Sequence, residues 1–159
     1  MFEIRLIDDP DVKTAVTLRI MHSLPKWFSP PEDVDRKSVA HRELPFFAAY
    51  DGGEPVGFTA LKIHNRFAAE IYGIGVLESF QRRKAGSLMI GEAVKYCAVN
   101  NHSFLTVKTL DESVGYAPYD GTRAFYEKMG FFPLEVFKNF WDEENPCLFL
   151  IKIVGGGPN

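Results

Sequence analysis

A chain of 159 residues is long enough for one domain with a real core, and 46% hydrophobic with 25% charged residues is the composition of a soluble globular protein. A formal net charge of −3 gives general nucleic-acid binding no electrostatic support. The first residues are no signal peptide, no apolar run reaches membrane-spanning length, and Cys97 and Cys147 stand in no metal-ligand spacing. These features lead us to expect a cytoplasmic protein with reduced core thiols, no metal, and neither nucleic acid nor membrane as partner.

Phe2 to Ile7 alternates and reads as a first strand. Asp9 is a suitable N-cap with Pro10 at the first helical position, and Val12, Ala15, Val16, Arg19 and Ile20 mark the face of a helix that Pro25 ends. Lys26-Trp27-Phe28-Ser29-Pro30-Pro31 is an aromatic, proline-rich loop, either a lid over a site or a plug over the core. Glu32 to Leu44 reads as a surface helix. Pro45–Tyr50 and Pro55–His64 form a hairpin around Asp51-Gly52-Gly53-Glu54, and Phe67–Leu77 returns as a third strand. A helix over 87–99, a strand over Ser103–Leu110, a helix capped by Asp120 and ended by Gly130, and strands over Phe131–Phe140 and Cys147–Val154 complete the order. The whole is an α/β protein with a mixed sheet, a domain over residues 1–154 with a flexible tail over 155–159. The apolar C-terminal strands offer a face for a homodimer.

The rest is organised around Glu70 to Asn100. Ile71–Leu77 is an apolar run interrupted by Gly73 and Gly75. Gln81 to Ser87 is a turn of three cations, Arg82, Arg83 and Lys84, followed by small Ala85, Gly86 and Ser87. Met89, Ile90, Ala93, Val94 and Cys97 then trace one face of a helix. A helix start presents unpaired N–H groups, and small residues let a phosphate approach the backbone, so the turn can cradle a pyrophosphate. The alternative is a plain strand-to-helix connection with solvated cations. A dinucleotide fingerprint is absent, because Gly73 and Gly75 lie in the strand and Glu78 stands where the third glycine belongs; no P-loop sequence occurs either.

Gln81-Arg82-Arg83-Lys84-Ala85-Gly86 resembles the Gln/Arg-x-x-Gly-x-Gly/Ala acetyl-CoA motif of the GNAT superfamily of N-acyltransferases, and Phe125-Tyr126-Glu127-Lys128-Met129-Gly130-Phe131 resembles that family's late helix. The order of strand, loop, helix, strand and helix is similar over nearly the whole chain. Lys84 departs from the motif's first glycine; its Cβ would crowd a phosphate or force an unusual backbone angle, whereas its charge would favour the pyrophosphate. The resemblance implies a GNAT-like mixed sheet of about seven strands, splayed at its centre and flanked by about four helices. It implies acetyl-CoA as cosubstrate and transfer of the acetyl group to a primary amine of a small molecule or peptide by direct attack in a ternary complex. A non-catalytic CoA-binding or partner-binding module that kept the fold is the alternative.

Acyl transfer to an amine needs a free lone pair, and a lysine-like amine has a pKa of about 10.4; it also needs a polarised carbonyl, alignment, and a proton for the departing thiolate. Glycines within a strand signal a bulge or a close backbone approach. The resemblance places the pantetheine arm and the thioester oxygen on amides near Ile74, Gly75 and Val76, with the diphosphate on Gln81 to Ser87. It makes Glu70 a general base, often through water, against the alternative of an exposed strand-end glutamate. It makes Tyr126 the group that protonates sulfur, against the alternative of a core aromatic. Trp27, Phe28 and Tyr72 are candidates for the acceptor side, with Tyr116 a weaker one. His22, His41, His64 and His102 show no ligand spacing and read as surface groups; His64 or His22 could line the acceptor pocket.

Overall fold

The structure, a computed structural model, describes residues 1–155; of the expected tail, all but Gly155 lies outside the described residues. Strands β1 (Glu3–Leu6), β2 (Phe46–Asp51), β3 (Glu54–Ile63), β4 (Ala68–Val76), β5 (Phe104–Leu110), β6 (Phe132–Asp142) and β7 (Asn145–Ile153) form one sheet in the order β1-β2-β3-β4-β5-β7-β6. Every neighbouring pair is antiparallel except β4 with β5. Helices α1 (Pro10–His22), α2 (Pro31–Ala40), α3 (Ala85–Val99) and α4 (Pro118–Lys128) cover the sheet.

Local chemistry explains most boundaries. Asp9 caps α1 by accepting the Asp11 N–H at 2.9 Å, with Pro10 in the first turn. Gly52 and Gly53 supply the positive φ values, 58° and 86°, that the β2–β3 turn demands. Gly130, at φ 89°, follows the last turn of α4 and gives its N–H to Glu127 O. Helix α2 ends at Ala40, short of the expected Leu44, and two helix starts shift. Helix α3 begins at Ala85, two residues early, and α4 begins at Pro118, so Asp120 lies inside the first turn and pairs with Arg123 instead of capping. Proline is favoured at a helix's first position, and it outranks the aspartate two residues later.

The core has two main bodies. Val16, Ile20, Met21 and Leu24 of α1 and its end pack with Val34 against Phe46, Ala48, Phe58 and Ala60 on one face. On the other, Ile90, Ala93 and Cys97 of α3 and Tyr126 of α4 pack against Leu61, Ile71, Leu105, Val107 and Leu150. Both cysteines are buried free thiols. The expected surface histidines divide: His41 and His102 are buried, 0% and 6% exposed, and His41, in the single turn after α2, packs its ring against Phe46, Phe58 and Tyr72. Among the described residues no helix is long and apolar enough to cross a membrane.

One break in the sheet positions everything that follows. Strand β5 pairs with β4 only from Ala68↔Phe104 to Ile71↔Val107 and then departs, while β4 continues along β3 to Gly57↔Val76. Opposite the point of departure the β3–β4 register slips, with Ala60 facing Gly73, Leu61 facing Ile71 and Tyr72 left over as the bulge.

Candidate active site

Beyond Ile71, β4 has one unpaired edge. Leu77 donates its N–H to Val56 O of β3 at 2.9 Å. Strand alternation then turns the N–H of Gly75 toward β3 as well, and those of Ile74 and Val76 toward the gap left by β5. Gly75 therefore offers no amide to the gap. A Cβ there would stand 3.1 Å from Ile20 and 3.3 Å from Phe58, so its glycine serves the packing of α1 on the strand. The gap opens into a cleft of 2010 Å³ lined by residues from β4, β5, α4, the 26–29 loop and the turn before α3. Thr109 of β5, 3% exposed and lining the cleft, has a hydroxyl without a hydrogen-bond partner among the described residues.

At one end of the cleft lies the basic turn. Arg82 and Lys84 both adopt left-handed backbone, φ 61° and 76°, the alternation that turns successive N–H groups toward one point. Lys84 is the N-cap of α3 and supplies no side-chain acceptor, so the N–H groups of Ala85, Gly86 and Ser87 open the helix without intrahelical partners. Gly86 lets the turn approach α4: a Cβ there would meet the Phe125 ring at 3.0 Å. The other expected anion ligands divide. Gln81 donates to Val76 O at 3.0 Å and ties the turn to the strand end. Arg83 points off the cleft, its guanidinium 5.2 Å from the Phe80 ring and 5.7 Å from that of Phe2, and the Ala85 methyl is buried in the core.

The left-handed conformation settles what Lys84 does to the backbone. A side chain there costs on the order of 1 kcal/mol. Lys84→Gly should therefore raise the melting temperature by about 2–4 °C, which thermal melts check.

Midway along the cleft Glu70 is 6% exposed, not the strand-end glutamate of the alternative reading. Register places it opposite Lys62 on β3 and Thr106 on β5. Lys108, two residues farther along β5, donates to both Glu70 oxygens at 3.0 Å, and His64 Nε2 meets Glu70 Oε1 at 2.6 Å. A ring nitrogen facing a carboxylate acts as the N–H donor, which leaves Nδ1 free. Sequence pattern holds little sign of this cluster, because the pairing of β4 with β5 and the turn from β3 into β4 assemble it.

Tyr126 is 3% exposed and also lines the cleft. Its ring packs against Phe125 and Phe131, and burial, with Tyr119 adding to it, holds its hydroxyl well above the ordinary tyrosine range. Tyr116 and Tyr119 give their hydroxyls to Lys26 O and Trp27 O at 2.8 and 2.7 Å, and the Trp27 indole donates to Pro118 O at 2.9 Å. Thus Trp27, half-buried, clamps the start of α4, while Phe28 packs on the α1 cluster and Tyr72, at the bulge, is 40% exposed to the cleft. His22 lies elsewhere, against Asp35 at 3.1 Å. Among the described residues no group of three or more His, Cys, Asp or Glu could hold a metal.

The model of the acetyltransferase (GNAT) family matches residues 15–131. The chain belongs to the GNAT family. No curated protein matches it. Among solved structures, a GNAT-family protein from Desulfovibrio desulfuricans superposes with a TM-score of 0.81 at 20% identity, over 97% of this chain and 99% of that one. A GNAT acetyltransferase from Elizabethkingia anophelis with acetyl-CoA bound gives 0.73 at 18% identity, over 96% and 97%. The aminoglycoside 6′-N-acetyltransferase from Enterococcus faecium gives 0.77 at 18%, over 99% of each chain. The seven-stranded mixed sheet with four helices is thus the GNAT fold, and its splay between β4 and β5 is where the resemblance placed it.

Proposed function

We propose that this GNAT protein transfers an acetyl group from acetyl-CoA to a primary amine within a ternary complex. The observation that carries the reading is the freed edge of β4: the Ile74 and Val76 amides face a gap that runs from a left-handed anion turn at one end to a buried carboxylate at the other. In this reading the first-turn amides of α3, with Arg82 and Lys84, hold the diphosphate. The pantetheine arm runs along the gap, and the orphan Thr109 hydroxyl gains a partner.

The amine nitrogen attacks the thioester carbon. The carbonyl electrons move onto oxygen, stabilised by the strand amides, and return as the C–S bond breaks. The nitrogen's proton passes through water to Glu70, and Tyr126 gives its hydroxyl proton to the thiolate. His64, 36% exposed at its side chain where Glu70 is 7%, stands between that carboxylate and solvent; with Nε2–H on Glu70, its Nδ1 takes the proton that water carries from the carboxyl and releases it to solvent. Lys108 keeps the carboxylate in place throughout. His64→Gln should lower kcat by about ten-fold near neutral pH, and free imidazole in the buffer should restore part of it. A loss that imidazole leaves untouched would make His64 a brace for Glu70 instead.

The reading is tested by release of free thiol from acetyl-CoA across a panel of amines, beside melting curves with CoA. Amine-dependent release is the expected result. A CoA-induced rise in melting temperature with no release from any amine would leave the non-catalytic CoA-binding module instead.

A further inference from the structure

We infer that the acceptor amine also carries an anionic group, a carboxylate or a phosphate, bound by Lys37 and Lys62. The inference rests on the acetyltransferase reading above and narrows its substrate.

The charge inventory of the cleft points one way. The chain as a whole carries −3, yet the cleft lining has eight lysine and arginine residues against three carboxylates, Asp33, Glu70 and Asp142. Each of those carboxylates is already engaged. Asp33 pairs with Arg36, Glu70 is held by Lys108 and His64, and Asp142 accepts the Asn145 amide and backbone N–H at 2.9 Å. A polycationic acceptor entering the cleft would meet no unengaged carboxylate and an excess of positive charge, an arrangement that disfavours it.

The cations are not all engaged. Arg82 and Lys84 belong to the anion turn. Lys26 pairs with Glu78 at 3.2 Å. Lys37, Lys62 and Lys128 form no ion pair among the described residues; the ammonium groups of the first two lie over aromatic rings, Lys37 5.7 Å from the centre of Phe28 and Lys62 5.5 Å from that of Tyr72. Both rings line the cleft, and His41 links the two sides: its ring is 6.0 Å from Tyr72 and it feels the charge of Lys37. A cation over a ring is aimed but keeps its N–H donors for an oxyanion.

CoA cannot be the anion these lysines await if its diphosphate sits on the turn. Lys62 lies opposite Glu70, six residues before Val76 along β4, or about 20 Å at strand spacing. The anionic end of the acceptor would thus be held beyond the bulge at Tyr72, with its amine directed back toward Ile74 and Val76.

The test uses the full chain and thiol release with five acceptors: β-alanine, phosphoethanolamine, ethanolamine, spermidine and kanamycin. The expected kcat/KM for β-alanine or phosphoethanolamine exceeds that for ethanolamine by about ten-fold, with the two polycations lowest; which of the first two leads distinguishes carboxylate from phosphate. In the Lys37→Gln/Lys62→Gln double variant the ratio over ethanolamine should fall toward one. Melting shifts with N-acetyl-β-alanine and N-acetylphosphoethanolamine read the same site without turnover, and should vanish in the double variant. Preference for spermidine or kanamycin, or a ratio and melting shift unchanged in the double variant, overturns the inference and leaves the transferase reading standing. An anion-dependent melting shift without thiol release would instead support the anion site and sink the transferase reading.

Discussion

Replacing Tyr126 by Phe is expected to lower turnover by about 10²-fold while leaving CoA affinity and melting temperature close to native. The ring provides the packing, against Phe125 and Phe131 at centroid distances of 5.6 and 5.7 Å, and the substitution keeps the ring. Unlike Tyr116 and Tyr119, Tyr126 gives its hydroxyl to no protein partner among the described residues, so removing the oxygen strands nothing. Desolvation keeps the proton on that oxygen throughout the working pH range. In the proposed transfer the same dry surroundings would act on the leaving thiolate and raise its basicity as the C–S bond opens. Burial has the same effect on the resident thiols Cys97 and Cys147, both pushed up to about 11. Single-turnover rates and CoA calorimetry on Tyr126→Phe separate the cases. Native turnover would remove the hydroxyl from the chemistry, and weakened CoA binding would make it a wall of the cofactor site.

What the sequence disclosed and what it hid follow from how each feature is encoded. Asp9-Pro10, the glycine pair at 52–53 and Gly130 are local signals, and each acts where it was read. The strand–turn–helix from Ile71 to Val99 was legible because its glycines, cations and apolar stripe fall within one short window. Even there the individual roles needed coordinates. Gly75 serves α1 and not the ligand, Arg83 stacks on Phe2 and Phe80, and the bulge lies at Tyr72, between the strand's first Gly and Ile71. The Glu70–Lys108–His64 cluster joins β4, β5 and the turn after β3, and the clamp of Trp27 on Pro118 spans 91 positions; no periodicity records such pairings. His41 is the clearest case. A histidine in a polar stretch ordinarily reads as a surface group, yet the turn after α2 drives it beneath the sheet.

That burial has a cost that appears as pH falls. His41 is fully buried, ringed by Phe46, Phe58 and Tyr72 at 5.4 to 6.1 Å, with Nδ1 bonded to Thr17 Oγ1 at 2.9 Å and Nε2 without a partner among the described residues. Loss of solvent, and secondarily the charge of Lys37 on α2, lower its pKa from 6.5 to about 4. The unfolded chain binds this proton below pH 6.5 and the folded chain only below about 4, so stability rises with pH across that interval. The contribution is fully present above the unfolded value and is lost as pH drops through the folded one, a loss of about 3 kcal/mol at the rate of about 1.4 kcal/mol per unit. Denaturant unfolding at pH 7, 5.5 and 4 should show that loss in the native protein and a shallower one in His41→Gln. Parallel curves would assign the acid sensitivity to other groups. The consequence reaches the site, because a Cβ on Gly73 would lie 2.9 Å from His41 Nε2, so the ring supports the strand where it bulges. Protonating it loosens the cleft wall between Glu70 and the amides of Ile74 and Val76, and acetyl transfer should fail on the acid side together with the fold.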